Sequence, residues 1–215
     1  MTGRLDAFTF PGPAGVLEGL WKDAAAPRAG TAVVAHPHPL HGGTLHNKVV
    51  YRAAQALGEA GWATLRFHFR GVGLSEGRHD GGRGETDDFR AAMEEALRRG
   101  GPPLLAAGFS FGSAVALRAS AGDSRVVARI AIGLPVATES GRDVPPVVPP
   151  ALFVTGEKDA YGPPELLARF VGDSGQIVIV PGADHFFEGH LARLQEAIAG
   201  FLSGLPRLAQ TGPAR

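Results

Sequence analysis

Ser110 is the residue around which the chemistry of this chain can be built. It stands in Gly108-Phe109-Ser110-Phe111-Gly112, after an apolar run from Pro103 to Ala107 and before a segment with helical character, Ser113 to Ser120. A strand, a sharp turn at a serine and a helix give G-x-S-x-G its meaning as a nucleophile motif. The glycines two residues either side have no Cβ to clash where the helix crosses back over the strand. The same turn aims the N–H of Phe111, and the positive end of the helix, at a developing anion. A serine hydroxyl is a weak nucleophile until a base takes its proton. Histidine is the usual base, because its pKa of roughly 6.5 lies near working pH. The histidine in turn needs a carboxylate to fix its tautomer. Asp159 and His185 each stand just beyond a candidate strand, downstream of Ser110.

The bare motif is weak evidence in a chain with 31 glycines, where a helix-capping serine would read the same. Its weight depends on the elements that position it. Leu5–Phe10 and Val16–Trp21 read as a hairpin around Pro11 to Gly15, an antiparallel edge. Short apolar runs at Thr31–Ala35, Ala63–Phe69, Pro103–Phe109, Val126–Ile132, Ala151–Thr155 and Gln176–Val180 read as strands. Helical spacing marks Asn47–Ala60, Glu85–Arg99, Pro164–Val171 and Leu191–Leu202. Alternating strands and helices predict a mostly parallel, doubly wound α/β sheet with helices on both faces and its functional loops along one rim. The loops at 36–43, 108–112, 156–161 and 181–187 all follow strands, so they converge on one site. Residues 1–204 form one expected domain and 205–215 a frayed tail. The proline-rich stretch Gly133–Pro150 leaves room for a short flap instead of a full lid.

Composition narrows the function classes. Lys plus Arg and Asp plus Glu both number 21, so no basic field invites nucleic acid or an anionic membrane. With no cysteine, a thiol nucleophile and thiolate metal sites are excluded. Neither a signal peptide nor a membrane-length apolar run is read, so a cytoplasmic location is expected. A homodimer through an edge strand is possible from this pattern.

Six blocks together resemble the compact, lidless bacterial members of the α/β-hydrolase superfamily. They are His36-Pro37-His38-Pro39-Leu40-His41-Gly42-Gly43 with Asn47-Lys48-Val49-Val50, then Phe67 to Ser75, Gly108 to Gly112, Thr155 to Asp159, and Gly182-Ala183-Asp184-His185-Phe186-Phe187. The resemblance implies an α/β-hydrolase fold, and Ser110, Asp159 and His185 follow that superfamily's chain order of nucleophile, acid and base. The resemblance names no substrate. The residues are read as those of a serine hydrolase acting through an acyl-enzyme on a small-molecule ester, a carboxylesterase with no cofactor, and the short flap favours short acyl chains over long lipids. A thioesterase, an amidase, an acyltransferase or a non-catalytic binding protein would share the same residues.

Each role has rivals. For the acid they are Glu157, closer to the strand end, and Asp184, the neighbour of His185, whose side chain on an extended segment would point away from it. For the base, His190 falls near the start of the last helix. One oxyanion donor is the Phe111 N–H. The other belongs to the 36–43 loop, where Pro37 and Pro39 have no N–H and His38, Leu40 or His41 remain, with His38 or Leu40 favoured. Phe109, Phe186 and His41 are candidates for substrate contact. His36, His38, His41 and His46 could supply metal ligands, but two prolines stiffen the loop and no acid lies within it, so no metal is expected. Gly71-Val72-Gly73 lacks the third glycine of a dinucleotide fingerprint. Arg70 and Glu85 are expected to tie neighbouring rim loops together.

Overall fold

Four six-residue runs, GTAVVA, WATLRF, LLAAGF and ALFVTG, are buried at every position, as parallel strands covered on both faces must be. In the computed structural model, which describes residues 5–24 and 28–205, they are β3 (Gly30–Ala35), β4 (Trp62–Phe67), β5 (Leu104–Phe109) and β7 (Ala151–Gly156). With β1 (Leu5–Gly12), β2 (Gly15–Lys22), β6 (Val126–Ile132) and β8 (Gln176–Val180) they form one eight-stranded sheet in the order β1-β2-β4-β3-β5-β6-β7-β8. The β1–β2 hairpin is the antiparallel edge that the sequence predicts, and β2 joins β4 antiparallel. All later pairings are parallel.

Successive side chains of a strand point to opposite faces. Ala32, Val34, Leu105 and Ala107 pack on one side with α1 (Lys48–Glu59) and α6 (Leu191–Gly204). Val33, Ala35, Leu104 and Ala106 pack on the other with α2 (Arg83–Gly100) and α3 (Phe111–Ser120). A third cluster fills the space between α3, β7 and α5 (Pro164–Val171). Asn47 caps α1 by accepting the Val49 N–H at 2.9 Å. Among the described residues no helix is long and apolar enough to cross a membrane.

The structure departs from the sequence reading in three places. Strand β4 stops at Phe67: the His68 N–H still donates to the Glu18 carbonyl of β2 at 2.9 Å, but the Phe69 N–H turns to the His36 ring at 3.0 Å as the chain enters the rim loop. The Gly133–Pro150 stretch is not a free flap. It contains a one-turn helix, α4 (Glu139–Arg142), and buries Leu134, Val144 and Val147 in the third cluster. Arg70 does not tie to Glu85: it donates to Asp88 at 2.8 Å and to the Gly84 carbonyl at 2.7 Å. Glu85 turns back to accept the N–H groups of Asp80 and Gly82 at the head of α2, at 3.0 and 2.8 Å. The expected tail falls outside the described residues beyond Leu205.

Candidate active site

Ser110 sits between the last residue of β5 and the first of α3 with φ 55° and ψ −125°. Positive φ is uncommon for a residue with a Cβ and marks local strain held by its surroundings. Those surroundings are visible. The Ser110 N–H donates to the Ile132 carbonyl at 2.8 Å, and the Ser110 carbonyl accepts both the N–H and the hydroxyl of Ser113, at 2.9 and 2.6 Å. A Cβ on Gly108 would collide with the Gly112 carbonyl, and one on Gly112 with the His36 carbonyl. The two motif glycines therefore permit different contacts. Gly108 lets α3 fold back over its own strand, and Gly112 lets the loop after β3 lie against the first turn of α3.

The loops after β7 and β8 bring the other two residues to the serine. His185 Nδ1 lies 2.8 and 3.0 Å from the two Asp159 oxygens, and Nε2 lies 2.9 Å from Ser110 Oγ. A carboxylate can only accept, so Nδ1 carries the proton and donates it there. Nε2 is left with the lone pair that accepts the Ser110 hydroxyl. Asp159 is 2% exposed. Its Oδ1 also accepts the N–H groups of Tyr161 and Gly162, both at 2.9 Å. Burial alone would raise this carboxyl's pKa, but the hydrogen bond and charge of His185 with the two N–H donors hold it below its ordinary value. Thr155, whose hydroxyl donates to the Gly162 carbonyl at 2.8 Å, closes the loop beneath the carboxylate.

The rival acids are occupied elsewhere. Glu157 accepts the Gly182 N–H at 2.7 Å, and the Asp184 side chain accepts the Phe186 N–H at 3.0 Å within its own turn. His190 precedes α6 as its cap residue. The His185 ring is flanked by Phe109 at 5.2 Å, Tyr161 at 4.6 Å and Phe186 at 5.4 Å between centroids. Phe109 requires a correction. At 1% exposure it packs beneath the imidazole and supports it, with no surface left for substrate. Phe186, at 50% exposure, remains open at the rim.

In the loop after β3, two of the three candidate N–H donors are already engaged. The Leu40 N–H is engaged by His38 Nδ1 at 3.2 Å, and the His41 N–H by the His38 carbonyl at 3.0 Å. Leu40 is therefore set aside as a donor, since its N–H is drawn into the 3₁₀ turn Pro39–His41. No described residue accepts the N–H of His38 or of Phe111. The His41 ring stacks on His38 at 4.4 Å.

His36 is a contributor that the sequence analysis grouped only with a possible metal site. It is fully buried, and its Nε2 accepts the Phe69 N–H at 3.0 Å while Nδ1–H donates to the Pro37 carbonyl at 2.7 Å. Burial pushes its pKa down to about 3, so the ring is neutral at working pH. In a trans peptide the N–H points opposite to the C=O. By holding the Pro37 carbonyl, His36 turns the His38 N–H the other way. Both ring nitrogens of His36 are thus spent within the protein, and among the described residues no group of three or more His, Asp or Glu side chains is arranged to hold a metal ion.

A family model described as the alpha/beta hydrolase fold matches residues 40–149. An uncharacterised protein of Rickettsia prowazekii is 36% identical over 207 residues, covering 90% of this chain and 87% of its own. The chain belongs to the α/β-hydrolase family. Among solved structures, an α/β serine hydrolase homologue from Coxiella burnetii superposes with a TM-score of 0.85 at 36% identity, over 93% of this chain and 97% of its own. A lidless α/β serine hydrolase from Xanthomonas campestris gives 0.84 at 35%, over 93% and 94%. This α/β-hydrolase shares their compact build, in which the stretch after β6 carries no more than the four-residue α4.

Proposed function

We propose that this α/β-hydrolase is a carboxylesterase of short acyl esters. The observation that carries the reading is the unbroken chain from the Asp159 carboxylate through His185 to the Ser110 hydroxyl, with contacts of 2.8 and 2.9 Å. His185 Nε2 takes the proton as Ser110 Oγ attacks the ester carbonyl, and Asp159 stabilises the resulting imidazolium. The oxyanion is received by the unengaged N–H groups of Phe111 and His38. The proton on Nε2 then passes to the departing alkoxide, leaving an acyl-enzyme. Water, deprotonated by His185, attacks that acyl group, and Ser110 regains its proton as the acid leaves.

The exposed side chains of Leu40, Tyr161 and Phe186 supply apolar surface at the crest. Among the described residues no long cover encloses a fatty chain, which favours short acyl groups. The test is hydrolysis of a p-nitrophenyl series from acetate upward, with Ser110→Ala as control. Short esters are expected to turn over in the native protein and not in the variant. A markedly higher kcat/KM for long chains, or equal rates in the variant, would overturn the reading.

A further inference from the structure

Beside the oxyanion loop lies a cavity of about 970 Å³, walled by His38 and Phe111 on the side of the candidate nucleophile and by Gly82 and Ser140 beyond. Ester hydrolysis as such requires no cation there, yet Arg118 lines it. This residue belongs to α3, the helix that Ser110 precedes. Helical side chains lean back toward the N-terminus, and Arg118 and Phe111 both line the cavity. An ideal Cβ on Gly82 would come within 2.9 Å of Arg118 Nη2 and 3.5 Å of Phe111 Cε2. Glycine at position 82 keeps the space around both groups open.

The electrostatic setting of Arg118 differs from that of its neighbours. At the exposed mouth, Arg83, Arg90 and Arg142 stand 3.7, 2.7 and 3.7 Å from Asp80, Asp87 and Glu139. Arg118 is half-buried and donates from Nη1 to the Ser140 carbonyl at 3.0 Å. No described carboxylate lies within ion-pair distance of it. Asp143, which also lines the cavity, and Glu85 act on it only at longer range, and Glu85 is committed to the head of α2. A guanidinium offers five N–H donors in a planar fork suited to carboxylate or phosphate. A partly desolvated cation with no carboxylate in direct contact is costly, and a ligand anion would offset that cost.

We propose that this cavity is a subsite for an anionic group, carboxylate or phosphate, carried by the substrate away from the scissile carbonyl and held by Arg118. The inference rests on the ester-hydrolase reading and narrows its substrate class to anionic esters.

The experiment compares kcat/KM for p-nitrophenyl half-esters of glutarate, adipate and suberate with that for length-matched methyl-capped neutral esters. A second arm uses 4-nitro-3-butanoyloxybenzoate, which carries the anion on the leaving group, against p-nitrophenyl butanoate. The native protein should favour at least one anionic ester by about tenfold, the scale of one charge-assisted hydrogen bond. Arg118→Met should bring that ratio to about one, and Arg118→Lys, which keeps the charge without the fork, should restore part of it. An advantage confined to the second arm would assign the anion to the alcohol side of the same subsite. Ratios near one in both arms, or ratios that survive in Arg118→Met, would overturn the subsite. Ser110-dependent hydrolysis of neutral esters would then still stand. Calorimetric titration with glutarate and with inorganic phosphate gives a readout independent of turnover. Binding weakened in Arg118→Met supports the subsite, and absent or unchanged binding refutes it even if no ester is hydrolysed.

Discussion

Asp159 accepts three N–H groups at once, from His185, Tyr161 and Gly162. An asparagine could keep the two backbone donors on its oxygen while presenting an N–H, or the wrong tautomer, to His185. Asp159→Asn is therefore expected to lower kcat by about 10³–10⁴-fold with a modest change in melting temperature, by steady-state kinetics and thermal unfolding. The depressed pKa of this carboxyl makes its stabilising contribution complete above the unfolded value of roughly 3.9, and that contribution is lost as pH falls through the lower folded value. His36 acts over a different window. Its folded pKa of about 3 lies below the unfolded value near 6.5, so the unfolded chain takes up its proton first. Between those limits each unit of acidification costs about 1.4 kcal/mol. Denaturant titrations from pH 7 to pH 4 should show a shallower loss of stability for His36→Gln than for the native protein. The same variant frees the Pro37 carbonyl, and kcat should fall by about tenfold or more with little change in KM if the His38 N–H serves the oxyanion. Parallel pH profiles of stability, or an unchanged kcat, would count against these roles.

At the scale of elements, the site depends on where backbone can touch backbone. Gly112 meets the end of β3, so Gly112→Ala should destabilise by about 3 kcal/mol or more and cut activity, because neither contacting carbonyl can yield alone. Gly58 in α1 is the contrasting case. Its substitution meets open space in a helical conformation, so Gly58→Ala should raise stability by about 0.5–1 kcal/mol in thermal unfolding with activity unchanged. These elements were largely legible beforehand, because parallel strands buried on both faces leave apolar runs and their loops must share a rim. The candidate oxyanion donors were legible only in part. Proline removed two choices, but the fate of the Leu40 N–H depends on how the His38 ring turns, which residue types do not encode. The buried position of Phe109 was missed for a similar reason. Its place beside Ser110 in the chain suggested a pocket, whereas the alternation of β5 points it under His185. Arg70 sought Asp88 one helical turn beyond the expected Glu85, since Glu85 was needed by the head of its own helix.

At the scale of the whole molecule, the described residues place no long segment over the crest, and that has a kinetic signature. Enzymes with a mobile cover are activated when it opens at a lipid surface. Here the rate on tributyrin, followed through its solubility limit, is expected to rise smoothly, and a sharp step at emulsion formation would refute an uncovered site. The parallel order of the sheet also spreads the proposed reacting groups over a long span of chain. Ser110 follows β5, Asp159 follows β7, and His185 arrives with the loop after β8, the last strand to be laid at the edge. Domains fold as units during synthesis, the earlier segments emerging first. A nascent chain that has cleared the ribosome only through the loop after β7 holds the serine and the carboxylate without the imidazole between them. On this reading its hydroxyl remains an ordinary alcohol until the edge strand docks, so acquisition of hydrolytic power would coincide with completion of the sheet.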